Sequence, residues 1–183
     1  GLVVLKQTGW LAHFPEIARL DGLPQEPEWH PEGDVFVHTG HCLDAMVGLP
    51  AWRDGPPERR RVLSLSVLGH DFGKATTTKQ AKKRGILRWI SPEHEAAGGP
   101  LVESFLPRIG APLDLVNFVR PLVVNHLLQH HLHAIVAVGE GRESEPRPRL
   151  RVDRAARLEH AIHALRLAET ARLQAREAVA HRE

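Results

Sequence analysis

The 183-residue sequence has one cysteine, Cys42, no tyrosine, and only five Phe and four Trp. A lone cysteine excludes an intramolecular disulfide framework and any cysteine-rich zinc module. So few aromatics require a core built from aliphatic side chains. There is no uninterrupted apolar run of ~18 residues of the kind a membrane-spanning helix needs, and the first residues lack the basic, apolar and small-residue order of a signal peptide. The expectation is a cytoplasmic protein with no membrane partner. Neither sign of charge dominates: 24 Lys and Arg against 22 Asp and Glu give a formal +2. That excess is too small to establish nucleic-acid binding, even with a pI near 9.0.

What is plentiful is histidine. There are 13, all but His13 from residue 30 onward, and imidazole is the commonest metal ligand near neutral pH. A hydrophobic share of 42%, a charged share of 25% and a mean hydropathy of −0.27 describe an ordinary globular chain.

The apolar spacing predicts an all-α fold. Short helical pieces occupy residues 1–23, and the segment 24–34 (PQEPEWHPEGD) is too rich in Pro, Gly and acids to continue them. Asp34 is placed to cap a helix that runs from Val35 and stops at Gly48. A second helix follows Pro56 and Pro57. Its Val62, Leu63, Leu65, Val67 and Leu68 leave almost no polar face, so it is expected at the centre, ending at Gly73.

Residues 74–90, basic and threonine-rich, read as an exposed loop or broken helix. Further helices are predicted from Pro92 to Ile109 and from Leu113 to about His133, the latter kinked or delayed by Pro121. The domain reading is a bundle over 1–138, a linker over 139–151 and a long C-terminal helix over 152–183 that packs on the bundle. Its interleaved acids make packing or a homodimer a better use for that helix than a nucleic-acid contact.

The sharpest local signal is Gly69-His70-Asp71-Phe72-Gly73-Lys74. An imidazole and a carboxylate leaving a buried apolar helix need partners, because burying such groups unpaired is costly. A structural His-Asp pair accounts for two residues. His38, His94 and His126 lie on three other predicted helices, and helix bundles build metal sites by converging such side chains. Without thiolates, the expected cofactor is a divalent ion, Mn, Fe, Ni, Co, Zn or Mg. Such an ion supports hydrolysis at phosphorus without a nucleophilic side chain. Lys74 opens a cationic run with Lys79, Lys82, Lys83 and Arg84, which suits a phosphate substrate, though a solvated basic loop is the commoner outcome. His41 and Asp44 are expected away from the site face. Trp29, His30 and Glu32 suit packing as well as site lining, and Cys42 is read as core.

The pattern His38-Thr39, then His70-Asp71-Phe72-Gly73-Lys74, then Glu93-His94-Glu95-Ala96-Ala97-Gly98 resembles the HD superfamily of metal-dependent phosphohydrolases. Within it, residues 9–44, with the HPEGD at 30–34, resemble the C-terminal HD domain of bacterial CCA-adding enzymes, the tRNA nucleotidyltransferases; the likeness spans roughly residues 1–130. The resemblance implies an HD-type helical bundle in which His38, His70 and Asp71 bind metal, His94 and His126 add ligands, and Asp71 and Lys74 serve catalysis.

The implied activity is that of a phosphatase or 2′,3′-cyclic phosphodiesterase acting on a phosphorylated nucleotide or RNA end, with tRNA as a partner. The rivals are a tRNA-associated or dimer-forming module with a vestigial site, and a nucleotide-sensing regulatory domain. Two departures from the family pattern stand out. The sequence has no counterpart of the polymerase head, and the late aspartate of HD sites is missing, with Asp153 and Glu169 as its only nearby substitutes.

Overall fold

The structure, a computed structural model, describes residues 1–127. The chain divides into two units, residues 1–124 and 125–183, and every element named below belongs to the first. The order is α1 (Leu2–Gln7), a 3-10 turn (Trp10–His13), α2 (Pro15–Ala18), α3 (Val35–Val47), α4 (Pro50–Arg53) and α5 (Pro57–Gly69). Then come α6 (Lys74–Thr77), β1 (Lys79–Lys83), β2 (Ile86–Ile90), α7 (His94–Arg108) and α8 (Leu113–Val124). None of the described helices is long and apolar enough to cross a membrane.

The start of α3 is fixed by one side chain. Asp34 Oδ1 accepts from Val37 N–H at 2.8 Å, which satisfies a donor that a helix start leaves open. Its Oδ2 accepts from Gly22 N–H at 2.9 Å. The Val35 and Phe36 N–H groups, also open, donate to the carbonyls of Leu23 and Leu20, each at 3.1 Å. The segment before α3 is thereby tied back onto its first turn, and this tie brings residues 24–34 to the site.

Helices α5, α7 and α8 meet at glycines. A Cβ on Gly69 would lie 2.9 Å from Val102 Cγ2, one on Gly98 3.1 Å from Val123 Cγ1, and one on Gly99 2.9 Å from Val124 Cγ2. Close approach at these crossings leaves no room for larger side chains. The surrounding core is aliphatic around a few rings: Ile17, Leu20, Val35, Val102, Leu106, Val119 and Val123 pack with Phe36, Phe72 and Phe105. Phe72 meets Phe105 edge-on at 5.3 Å.

Three sequence expectations need correction. The helix placed up to Gly73 ends at Gly69, and residues 70–73 form tight turns in which Phe72 N–H donates to Gly69 O and Lys74 N–H to Asp71 O. Gly73, at the end of these turns, lies against the backbone of α7.

Residues 74–90 are neither loop nor broken helix. After α6 they form an antiparallel hairpin in register from Lys79↔Ile90 to Lys83↔Ile86, so the described part is mostly helical rather than purely all-α. Arg84 and Gly85 turn the chain with φ of 52° and 81°, the positive φ pair that matches strand twist in a two-residue hairpin. The hairpin is anchored from outside. Arg88 pairs with Glu26 at 2.7 Å and with Glu28, while Trp89 N–H donates to Glu26 Oε2 at 3.0 Å.

The third point concerns α8, which starts at Leu113 as expected and runs through Pro121, so that of the two outcomes expected of the proline a delayed start does not occur. The continuation of that helix beyond residue 127, the linker at 139–151, the helix at 152–183, and Asp153 and Glu169 lie outside the described residues.

Candidate metal centre

Four segments deliver the charged groups of the site. His38 lies on the first turns of α3, His70 and Asp71 on the turn after α5, Lys74 at the start of α6, and His94 at the start of α7. Asp71 is the hub and only 1% exposed. Its Oδ2 is 2.8 Å from Lys74 Nζ, 3.2 Å from His70 Nε2 and 3.8 Å from His38 Nε2. Its Oδ1 is 3.3 Å from His94 Nε2. Close as they are, these approaches give Oδ2 no aligned hydrogen bond.

The other ring nitrogens explain why this matters. His70 Nδ1–H donates to Val67 O at 2.7 Å, His94 Nδ1–H to Ser91 O at 2.8 Å, and His38 Nδ1–H to Glu32 Oε1 at 2.6 Å. In a neutral ring such an acceptor holds the proton on Nδ1 and leaves Nε2 as a lone pair. Three imidazole Nε2 atoms thus face a buried carboxylate, itself an acceptor. Acceptors brought together in this way need a proton or a cation among them, and an Nδ1–H tied to an oxygen is the usual support of a metal-binding histidine. The donor set fits a divalent ion.

The electrostatics point the same way. Burial pushes the Asp71 carboxyl up, but the adjacent His70 and Lys74 outweigh it and hold the carboxyl well below its usual range. Burial lowers His38 to about 4, with the neighbouring His70, Lys74 and His30 adding to the drop and Asp71 opposing it, so its ring is neutral at pH 7. Glu32 sits at about 2. Burial would raise it, and hydrogen bonds from its own backbone, His38 and His30 prevail.

The sequence reading underrated several neighbours. Glu32 accepts from both His38 and His30, the latter at 3.2 Å, and the His30 and His38 rings meet edge-on at 4.7 Å. Gln25, missed altogether, accepts from Lys74 at 2.7 Å. Cys42 is not simply core, since its Sγ lies 3.4 Å from His38 Nε2, one turn away. Two further ligand-like groups follow, His30–Glu32–His38 and His38–Cys42–His70, each with its atoms within 4.8 Å of one another. The available signal was the HPEGD run four residues before His38. His41, expected on an exposed face, instead has a buried Nδ1 without a hydrogen-bond partner, whereas Asp44 is exposed. His126 is half-buried in the turn at 125–127, where the second unit begins.

Comparison with known proteins finds relatives named Multifunctional CCA protein. The chain is similar to a Multifunctional CCA protein of Alkalilimnicola ehrlichii, 39% identical over 129 residues, which is 70% of this chain and 28% of that protein. Halorhodospira halophila has a Multifunctional CCA protein 38% identical over 132 residues, 72% of this chain and 27% of the relative. For that of Cupriavidus metallidurans the figures are 37% over 112 residues, 61% and 24%. The chain thus spans about a quarter of the length of the curated relatives it matches. No protein-family model and no solved structure matches it.

Proposed function

We propose that the chain is a divalent-metal-dependent phosphohydrolase of the HD type, acting as a phosphatase or 2′,3′-cyclic phosphodiesterase on a nucleotide or RNA-end phosphate. The observation that carries this reading is the convergence of three Nε2 atoms, from His38, His70 and His94, on the buried Asp71. In this reading His38, His70 and Asp71 hold the ion. His94 is a further ligand, and His126 is kept as one on sequence grounds. When bound, a divalent ion supplies a Lewis acid for a phosphoryl oxygen and makes water a competent nucleophile near neutral pH.

The chain's own residues set up that chemistry. Val67 O, Ser91 O and Glu32 fix the three ring orientations, while burial around Asp71 limits competing water. Lys74 offsets charge on the substrate phosphate. The likeness to proteins named Multifunctional CCA protein supports an RNA end, that of tRNA included, as the class of partner, and with it a cytoplasmic location. The rival reading, a tRNA-associated or dimer-forming module without turnover, draws on the small share of those longer proteins that the chain spans.

The test is metal analysis coupled to turnover of 2′,3′-cyclic AMP, 2′-AMP and p-nitrophenyl phosphate across Mn, Fe, Ni, Co, Zn and Mg. Asp71→Ala is expected to lower turnover by orders of magnitude and Lys74→Ala by about 10- to 1,000-fold. A wild type no faster than Asp71→Ala on every pair would replace the enzyme with the module.

A further inference from the structure

Lys74 is an unusual resident for a site that attracts cations. Although it carries a charged head, the residue is only 7% exposed. Its Nζ donates to Gln25 Oε1 at 2.7 Å and stands 2.8 Å from Asp71 Oδ2. That is the oxygen faced by Nε2 of both His38 and His70.

A divalent ion bound to a carboxylate oxygen sits about 2.1 Å from it, so an ion on Oδ2 would lie within about 5 Å of the ammonium from any direction. Like charges that close in a buried site repel strongly. The ammonium and a divalent ion are therefore competitors for one carboxylate oxygen. Gln25 gives the ammonium a second, neutral acceptor that does not belong to the ligand set.

We propose that Lys74 is a built-in counter-cation for Asp71: it balances the carboxylate's charge in the metal-free protein, lowers the site's affinity for a divalent ion, and is retained by Gln25 once an ion displaces it. The inference rests on the reading of His38, His70 and Asp71 as a metal centre. Lys74 holds both partners in the metal-free protein and keeps only Gln25 in the loaded one, which makes metal binding weaker than the ligands alone would allow. Lys74 and Gln25 are positioning residues in this scheme, acting on the site through Asp71.

The consequence separates this role from a structural one. Loss of a merely structural lysine loosens the site and weakens metal binding. Loss of a competing cation strengthens it, while depriving the metal-free carboxylate of its partner.

The experiment is equilibrium dialysis of the full 183-residue chain against Mn²⁺ and against Zn²⁺, with thermal melts of the metal-free and loaded protein. Lys74→Met is expected to bind about 10- to 100-fold more tightly than wild type and to melt lower when metal-free. Lys74→Arg, which keeps the charge, is expected to stay close to wild type. Gln25→Leu leaves the ammonium only Asp71 and is expected to weaken binding several-fold, an effect that vanishes when Lys74→Met is also present.

Turnover and affinity then move oppositely in Lys74→Met. A Lys74→Met protein that binds the ion no more tightly than a binding-competent wild type overturns the inference and leaves the metal centre standing. If wild type and Lys74→Met both bind no better than Asp71→Ala, the metal centre itself falls, and this inference with it. Should Lys74→Met fail to fold, Gln25→Leu alone decides, and unchanged affinity there overturns the proposal.

Discussion

A Cβ built on Gly73 would lie 2.0 Å from the carbonyl oxygen of His94 and 2.7 Å from Gly98 N. The turn that carries His70 and Asp71 is therefore pressed directly onto the backbone of the helix that carries His94. Two segments with the whole hairpin between them in sequence are locked together by the absence of one methyl group, and the geometry of the site depends on that lock.

Gly73→Ala should consequently be among the most damaging single substitutions in the chain. The obstruction is backbone, which cannot rotate away, so a loss of about 3 kcal/mol or more is expected, at the upper end for overpacking. Gly40 supplies the control, since it lies inside α3 with nothing within 4 Å of a built Cβ. Gly40→Ala should stabilise by about 0.5–1 kcal/mol through helix propensity. Urea unfolding of both variants checks the pair, and equal effects would mean that Gly73 is not under steric constraint.

The hairpin makes a second prediction. Arg88 joins β2 to Glu26 and Glu28 on the segment before α3, and these contacts, with the Trp89 to Glu26 bond, are its described ties to that segment. Arg88→Ala should release the hairpin while leaving the core intact. Trypsin would then cut at Lys79, Lys82, Lys83 or Arg84 several-fold faster, because local opening governs cleavage. The thermal midpoint should move little. Unchanged cleavage would show that the Arg88 pairs do not hold the hairpin.

The contrast between these two sites shows what the sequence could and could not disclose. Asp34 was legible as a cap because a short polar acceptor stood directly before a helical apolar period. The His70-Asp71 pair was legible because ionisable groups at the end of an apolar helix are costly to bury unless a partner or a ligand meets them. Gln25 was not, and Glu32 was readable only as packing or site lining, since both sit in a Pro-rich segment without any period. Their partners Lys74 and His38 lie 49 and 6 residues away, and only the folded chain introduces them. The hairpin was hidden for a local reason: β1 reads KQAKK, poor in strand formers, and its turn places an arginine at positive φ. Gly98 and Gly99 carried no periodic signal, and what they permit is a contact with α8.

Acid stability follows from His38. Its ordinary pKa is 6.5 and burial lowers it to about 4 in the folded protein, so between those values the unfolded chain binds a proton that the folded chain refuses. Stability therefore rises with pH across that window and is flat with respect to this group above it. For the metal-free protein the loss on going from pH 7 to 4 should approach about 3 kcal/mol from His38 alone. Below 4.5, Glu32, held at about 2, adds a loss in the same direction. Urea midpoints at pH 7, 6 and 5 should fall progressively in wild type and stay flatter in His38→Gln. The same slope in both proteins would assign the titration to another group.

The last prediction concerns Glu32, which touches neither Asp71 nor a substrate but decides which nitrogen of His38 is available. Its Oε1 takes the Nδ1–H of His38 at 2.6 Å and that of His30 at 3.2 Å. A negative charge there favours the tautomer with Nε2 bare and makes that nitrogen a better donor to a cation. Glu32→Gln keeps the shape and an acceptor oxygen but removes the charge, and its amide can present a donor to His38 instead. The ring would then be free to reverse its tautomer or turn, and Nε2 would no longer be held toward Asp71. Metal affinity is expected to fall by about 10- to 100-fold, with the helical content and cooperative melt retained because the Asp34 cap of α3 is untouched. Proton NMR of the His38 ring should show the Nδ1–H signal of wild type weakened or lost in the variant. If that signal and the affinity both survive in Glu32→Gln, His38 is oriented by packing within α3, and Glu32 has no part in the site.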